Sequence, residues 1–418
     1  MTTDPPPFRR IVHVMRRFVP EKWGGTESVV FHLAREFQRL GIESPIYATA
    51  MFARPGTETF RGVEIQRFRY TLPWWGLSPA ARHALELKGG SPLSLPLLRT
   101  LWTDRRADLF HAHVGHRLGG TVRRAARHLG IPYAVSIHGG HHTLPGEQAA
   151  QMLAPTRGAI EWGKVAGLLL GARRTLDDAG AIFCVGRDEG DAMRRARPQQ
   201  SVHYQPNGVD LPRFRDARAA DFLDRFPHLR GRRIILCVSR VDPQKNQLML
   251  VRAFARLAPV LPDHHLVLLG AEVVEDYGRQ LRAEIAAAGL GERVTWIPGL
   301  PPGDPALPGA FLAAEIFALA SCHEPFGIVI LEAWAAGCPV VATRVGGIPG
   351  FTTDGENILL VPDDDSEAMA AAITRLANEP GLARRLAAAG SSLAAAKYDW
   401  PAVARNLLSL YPRAKTSP

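Results

Sequence analysis

Glu324 and Glu332 stand eight positions apart in SCHEPFGIVILEAWAAG, the first inside a Pro-Phe-Gly turn and the second within an apolar run of helical period. A carboxylate set among apolar residues is costly to bury without a partner, and sugar hydroxyls would serve Glu332 as one. Pro325 fixes its own backbone, and Gly327 permits a close approach or a φ closed to other residues. The N–H groups of Phe326, Gly327 and Ile328 then fall at the start of a helix. There they are free donors and carry its partial positive charge toward any phosphate. Were both glutamates helical, their spacing would put them on a similar face. The plain alternative is a solvated surface pair.

A second group of charges lies in RVDPQKNQ, where Arg240 and Lys245 follow the apolar strand IILCVS. Two cations on one loop at a strand's end could grip a diphosphate, each supplying up to about 4 kcal/mol of Coulomb energy at an effective dielectric near 20. They could take the place of a divalent metal; a solvated loop is the other reading. Gly24 and Gly25 follow the first strand and open a helix, where paired glycines let backbone amides approach a phosphate. Neither a dinucleotide fingerprint nor a P-loop is present, so a simple turn remains open. Histidines gather in HAHVGH (His111, His113, His116) and SIHGGHH (His138, His141, His142). The four cysteines, Cys184, Cys237, Cys322 and Cys338, have neither CxxC pairing nor zinc spacing and each lies in or beside an apolar run. They are expected to be reduced core thiols of a cytosolic protein.

The elements that must position these groups alternate regularly. IVHVM is a predicted strand, and GTESVVFHLAREFQRLG a helix with an apolar stripe at Val29, Leu33, Phe37 and Leu40. PIYATA, DLFHAH, YAVSIHG, AIFCVG and SVHYQPN read as further strands, with the helix TVRRAARHLG among them. The polar, Pro-containing segment LPRFRDARAADFLDRFPHLRGRR is expected to be an interdomain linker. The rhythm then restarts with IILCVSR, QLMLVRAFARLA, HLVLLG, RVTWIPG, EIFALAS, PVVATRV and NILLVP. Strand-helix-strand repetition predicts α/β architecture: two doubly wound, Rossmann-like parallel-sheet domains in series, facing a central cleft. Ligands in such sheets bind beyond the carboxyl ends of the strands, where the charged loops fall.

The chain has 418 residues, enough for two domains with their own cores, and a formal charge of +10 that would attract anionic ligands or anionic lipid. No basic stripe is interleaved with aromatics, so nucleic acid is not an expected partner. The opening MTTDPPPFRR lacks the apolar core of a signal peptide, and no apolar run approaches the roughly 20 residues of a spanning helix. The expected location is cytoplasmic, with peripheral contact at the inner membrane face left open.

The second half closely resembles the retaining glycosyltransferases of family 4, which have the GT-B fold. It carries E-x7-E from Glu324 to Glu332, RVDPQKN upstream and VATRVGGIPGFTTDGENILLVP downstream. The first half is similar more loosely, through WGGTESVV, HAHVGH, SIHG and QPNGVD. The resemblance runs from Ile11 to about Tyr411. It implies that Gly24 and Gly25 meet the donor's phosphate or sugar and that Arg240 and Lys245 hold the diphosphate. It also implies that Glu324 touches the transferred hexose and that Phe326, Gly327 and Ile328 offer amides to phosphate or sugar. Glu332 would hold the ribose, the stretch around Leu300 the base, and His138 would lie near the reacting sugar. The implied domains are residues 1–210, completed by a C-terminal helix at about 398–418, and residues 211–397. Asn246 departs from the usual glycine and Gly186 from the usual serine, while His141 and His142 have no assigned role.

The expected activity is hexosyl transfer from a nucleoside-diphosphate sugar to a hydroxyl acceptor, with retention and without metal or other cofactor. The resemblance alone places it in a capsule, exopolysaccharide or other glycoconjugate route. TLPWWGLSPAARH and LKGGSPLSLPLLRTLW, rich in Trp, Leu and Arg, could cover an acceptor, touch a membrane, or simply pack as a lid. Three alternatives remain. One is a zinc hydrolase built on the His-x-His at His111 and His113. The others are a nucleotide-sugar epimerase of the same fold and a non-catalytic sugar-nucleotide sensor.

Overall fold

The computed structural model describes residues 7–20, 24–87, 89–139, 156, 158–301 and 303–412; His141 and His142 lie outside them. The chain divides into two compact units, Met1–Pro206 with Ala404–Pro418, and Asn207–Val403.

The first unit is built on an eight-stranded sheet. Its strands are β1 (Ile11–Arg17), β2 (Ile46–Thr49), β3 (Gly56–Phe60), β4 (Val63–Phe68), β6 (Leu109–Ala112), β7 (Tyr133–Ile137), β9 (Ala181–Cys184) and β10 (Val202–Tyr204). The order is β10-β9-β7-β6-β1-β2-β4-β3, parallel except for the antiparallel hairpin of β3 and β4. The central strands are largely buried because helices cover both faces; β1 is buried from Ile11 to Met15, and β6 and β7 along their whole length. The helix Gly25–Arg39 buries Val29, Leu33 and Phe37 of the stripe read from its period, and Val30 and Ala34 besides, while the fourth stripe residue, Leu40, lies beyond the helix and is exposed. A small ribbon pairs β5 (Trp74–Trp75) with β8 (Ile160–Glu161).

The second unit holds a six-stranded, wholly parallel sheet: β11 (Arg233–Val238), β12 (His264–Leu269), β13 (Val294–Ile297), β14 (Ala314–Leu319), β15 (Val340–Thr343) and β16 (Leu359–Val361). Its order, β13-β12-β11-β14-β15-β16, reverses between β11 and β14. At that switch the two following loops diverge and leave a crevice at the strand ends. The core joins Leu266 and Leu268 of β12 to Leu250, Phe254 and Ile373 of the helices Gln247–Leu257 and Ser366–Asn378.

The expected linker is instead part of this unit. Leu211–Arg215 and Ala219–Leu223 are short helices that bury Phe214 and Phe222, and Phe214 packs edge-on against Phe311. Of the cysteines, Cys184, Cys237 and Cys338 are buried, whereas Cys322 is exposed and so is not a core thiol.

Candidate active site

The loops after β11 and β14 meet at the switch point of the second sheet. Lys245 Nζ lies 2.5 Å from Glu324 Oε2, and both side chains are nearly buried. Arg240 extends from the same loop as Lys245, half-exposed, and pairs with Asp242 at 3.1 Å. Asp242 also accepts from the Lys245 N–H at 3.1 Å, which folds the loop around its own carboxylate. Gln244 fastens the two loops together: its side-chain amide donates to the His323 carbonyl, and its carbonyl accepts from the Cys322 N–H. Asn246 explains its departure from glycine, since its φ is +49° and its side chain caps the helix Gln247–Leu257 at the Met249 N–H. Asparagine tolerates that left-handed backbone and is also a good N-cap.

Glu324 is outside the helix, which begins only at Ile328, so the two glutamates do not share a helical face. Gly327 precedes the helix with φ +99°, the backbone that glycine permits. The N–H groups of Phe326, Gly327 and Ile328 have no acceptor among the described residues. Phe326 is buried and stacks on Phe351 with centroids 4.5 Å apart. Gly346 and Gly347 close behind the turn: the Gly347 N–H donates to the Glu324 carbonyl at 2.8 Å. A Cβ at either glycine would lie about 2 Å from the Glu324 or Pro325 carbonyl oxygen.

Glu332 keeps some exposure, yet burial pushes its carboxyl up to about 7, opposed by the charge of Arg213. Arg213 Nη2 is itself buried and has no hydrogen-bond partner among the described residues. No ion pair joins Glu332 to Arg213 among the described residues, and a hydroxyl-bearing group would suit both. Leu300 follows β13 just beyond Gly299, which has φ +117°, and it is half-buried.

Gly24, Gly25 and His138 belong to the first unit and are described with it. Gly24 caps the helix Gly25–Arg39, but its N–H is taken by Glu27 Oε2 at 3.0 Å. Glu27 in turn pairs with Arg17 at 3.3 Å, so among the described residues Gly25 is the one of the two glycines whose amide has no acceptor. Near the switch between β1 and β6 is a cavity of about 450 Å³ whose lining includes Arg16, Arg17, Glu27, Ser91, His113 and His116. Arg16 spends its guanidinium on the carbonyls of Leu85, Glu86, Leu87 and Gly90, closing the end of the helix Pro79–Leu87.

Three histidines form a hydrogen-bonded row, and His111 packs its ring beside it. His13 Nδ1 meets His113 Nε2 at 2.9 Å, and His113 Nδ1 meets His138 Nε2 at 3.0 Å. His111 lies between Ser136 Oγ and the Tyr411 hydroxyl, each at 2.7 Å. Burial lowers His13 to about 3 and His138 to about 4, and holds His111 and His113 well below their ordinary value, so all four are neutral near pH 7. Ligand atoms of His13, His111 and His113 lie within 4.8 Å of one another, a spacing a metal ion could use. The hydrogen bonds already engage both nitrogens of His111 and of His113.

Sequence reading did not single out His13, Asp242, Arg213 or the pair Gly346–Gly347. The glycines carried a signal, a double glycine after a strand; His13 and Arg213 act through residues distant in the chain, and Asp242 through its near neighbours Arg240 and Lys245.

Two family models match, glycosyl transferase 4-like domain over residues 24–208 and glycosyl transferases group 1 over residues 222–392. A D-inositol 3-phosphate glycosyltransferase of Salinispora tropica is 30% identical over 412 residues, covering 94% of this chain and 81% of that one. The chain is a glycosyltransferase of family 4. This membership replaces the hydrolase and epimerase alternatives. A GDP-mannose-dependent alpha-(1-6)-phosphatidylinositol monomannoside mannosyltransferase of Mycolicibacterium smegmatis is 32% identical over 265 residues, 60% of this chain and 67% of that one. The GT-B fold of this glycosyltransferase is shared with HepE of Anabaena in complex with UDP and glucose (TM-score 0.71, 17% identity, 96% of this chain and 98% of that one). Sucrose-phosphate synthase from Thermosynechococcus elongatus has it too (TM-score 0.73, 21% identity, 96% and 98%).

Proposed function

We propose that this glycosyltransferase moves a hexosyl group from a nucleoside-diphosphate sugar to a hydroxyl acceptor, retaining the anomeric configuration and using no metal. The observation that carries the reading is the convergence at the β11–β14 switch of Lys245, Glu324 and the unpaired amides of Phe326, Gly327 and Ile328. A departing diphosphate is the group such a set suits. Lys245, Arg240 and the helix start receive the growing negative charge, while Glu324 holds the hexose. Glu332, opposite Arg213, takes the ribose hydroxyls, and the stretch at Leu300 the base. His138 and the glycines Gly24 and Gly25 are assigned to the sugar and phosphate by family resemblance, with Gly25 supplying the amide.

No carboxylate in the set is left over as a nucleophile, because Glu324 is committed to Lys245 and the sugar. Retention is therefore assigned to front-face substitution. The bond from the anomeric carbon to the phosphate oxygen breaks, the acceptor oxygen bonds on the same face, and its proton passes to the departing diphosphate. The acceptor is proposed to be a polyol or sugar hydroxyl, free or lipid-linked. That class includes both the inositol phosphate and the phosphatidylinositol mannoside in the relatives' names.

Replacing Lys245 by Ala is expected to lower kcat/KM at least about tenfold, with the loss mainly in kcat. Steady-state kinetics across UDP, GDP and ADP sugars check this, and near-normal activity would reject the diphosphate role. Turnover itself removes the sensor alternative. EDTA is expected to leave the rate unchanged; complete loss restored by Mg²⁺ would show that the two cations are insufficient.

A further inference from the structure

His13, His113 and His138 form a row of imidazoles crossing three neighbouring strands. His13 sits within β1, His113 just past β6 and His138 just past β7. β1 pairs with β6 in register at His13 and His111, and β6 with β7 at His111 and Ala134. His113, two residues beyond His111, lies on the same face and bridges the outer two rings.

The row constrains its protons. Each contact joins Nδ1 of one ring to Nε2 of the next, and all three rings are neutral, so each carries one proton. Only two arrangements satisfy both contacts: every ring protonated on Nδ1, or every ring on Nε2. The closed end decides between them. His13 Nε2 is buried and has no partner among the described residues, and the ring stacks on Phe37 at 5.7 Å. In the Nε2 arrangement that atom would be a buried N–H without an acceptor; in the Nδ1 arrangement it is only a bare lone pair. Buried orphan donors are the rarer of the two in folded proteins.

We infer that His13 and His113 are positioning residues that fix His138 as its Nδ1–H tautomer, so that it presents a hydrogen-bond donor and not a base. Nδ1 of His138 has no partner among the described residues, and the side chain keeps partial exposure. The inference rests on the proposed function in one respect, that this donor meets an oxygen of the reacting sugar. The acceptor's proton then has to go to the departing diphosphate, because His138 has no free lone pair on the exposed side.

The test is nitrogen NMR of the full chain labelled at histidine, near pH 7.5, with the His138 signals assigned by their loss in His138→Gln. A protonated Nδ1 and bare Nε2 on His138 are expected; the opposite tautomer, or an average of the two, would overturn the inference. His113→Phe should release His138 to a mixed tautomer and lower kcat about tenfold or more, with donor KM within about threefold. His113→Asn, whose side-chain NH₂ stands where Nδ1 did, should restore the tautomer and most of the rate. Equal losses in both variants, or an unchanged tautomer in His113→Phe, would sink it; the wild-type spectrum decides if a variant does not fold. Stoichiometric zinc on the His13 and His113 nitrogens would also overturn it. An Nδ1–H tautomer with full turnover in His138→Gln would leave the row standing and remove the sugar contact.

Discussion

At the scale of one residue, Glu332 sets a cost in stability against its proposed role in binding. Its carboxyl titrates near 7 when folded, against an ordinary value of 4.5. The unfolded chain therefore loses this proton first as pH rises, and the folded protein is destabilised progressively between about pH 4.5 and 7. Glu332→Gln is expected to remove that slope and raise the thermal midpoint at pH 8, while weakening donor binding about tenfold. Wild-type donor affinity should fall as pH drops below about 7, since protonation removes an acceptor for the ribose. Calorimetry across pH and donor titration check both halves; a donor Kd unchanged in the variant would end the ribose assignment. Lys245, Glu324 and Glu332 were legible because each is a charge at a strand end or in an apolar run. Arg213 was not, because it faces a residue more than a hundred positions away, and nothing local to it in the sequence marks the pairing.

At the scale of elements, the parallel strands were readable from short β-branched runs, and the helices from their period. The hairpin of β3 and β4 was missed because GTETF is exposed along nearly its whole length and offers no apolar signal. The segment 211–229 was misread for a related reason: its charged residues outnumber Phe214, Phe222 and Leu229, yet those three alone decide where it packs. The site's loops depend on a similar hidden contact. Gly347 has an ordinary φ of −78°, so a methyl group there adds no backbone strain, but its Cβ would come 2.1 Å from the Pro325 carbonyl oxygen. Gly347→Ala must push the Glu324 turn outward. The expected cost is about 1–3 kcal/mol in a urea melt, with a weakened donor Kd. A normal melt and a normal Kd together would show that the glycine pair does not hold the turn.

For the molecule as a whole, the charge of +10 gains meaning from where the first unit leaves apolar residues uncovered. Among the described residues no helix is long and apolar enough to cross a membrane. Trp75, Ile160, Val165, Leu168 and Leu169 are nevertheless 64–74% exposed on the β5–β8 ribbon and the helix Gly163–Leu169 that follows it. Lys164, Arg173 and Arg174 are exposed on the same stretch of chain. Apolar side chains beside cations suit an anionic bilayer surface, where each basic residue contributes about 1 kcal/mol and each buried leucine about 1.5–3. The proposed lipid-linked form of the acceptor would be presented there. The protein is expected to float with vesicles containing anionic lipid at low salt and to remain behind with neutral vesicles. Raising the salt should release it, because the attraction is screened beyond about 10 Å at 0.1 M. The double substitution Leu168→Ser and Leu169→Ser should abolish flotation while leaving turnover of a water-soluble acceptor intact, which separates docking from chemistry. Failure to float with either vesicle would exclude the membrane and restrict the acceptor to soluble hydroxyl compounds.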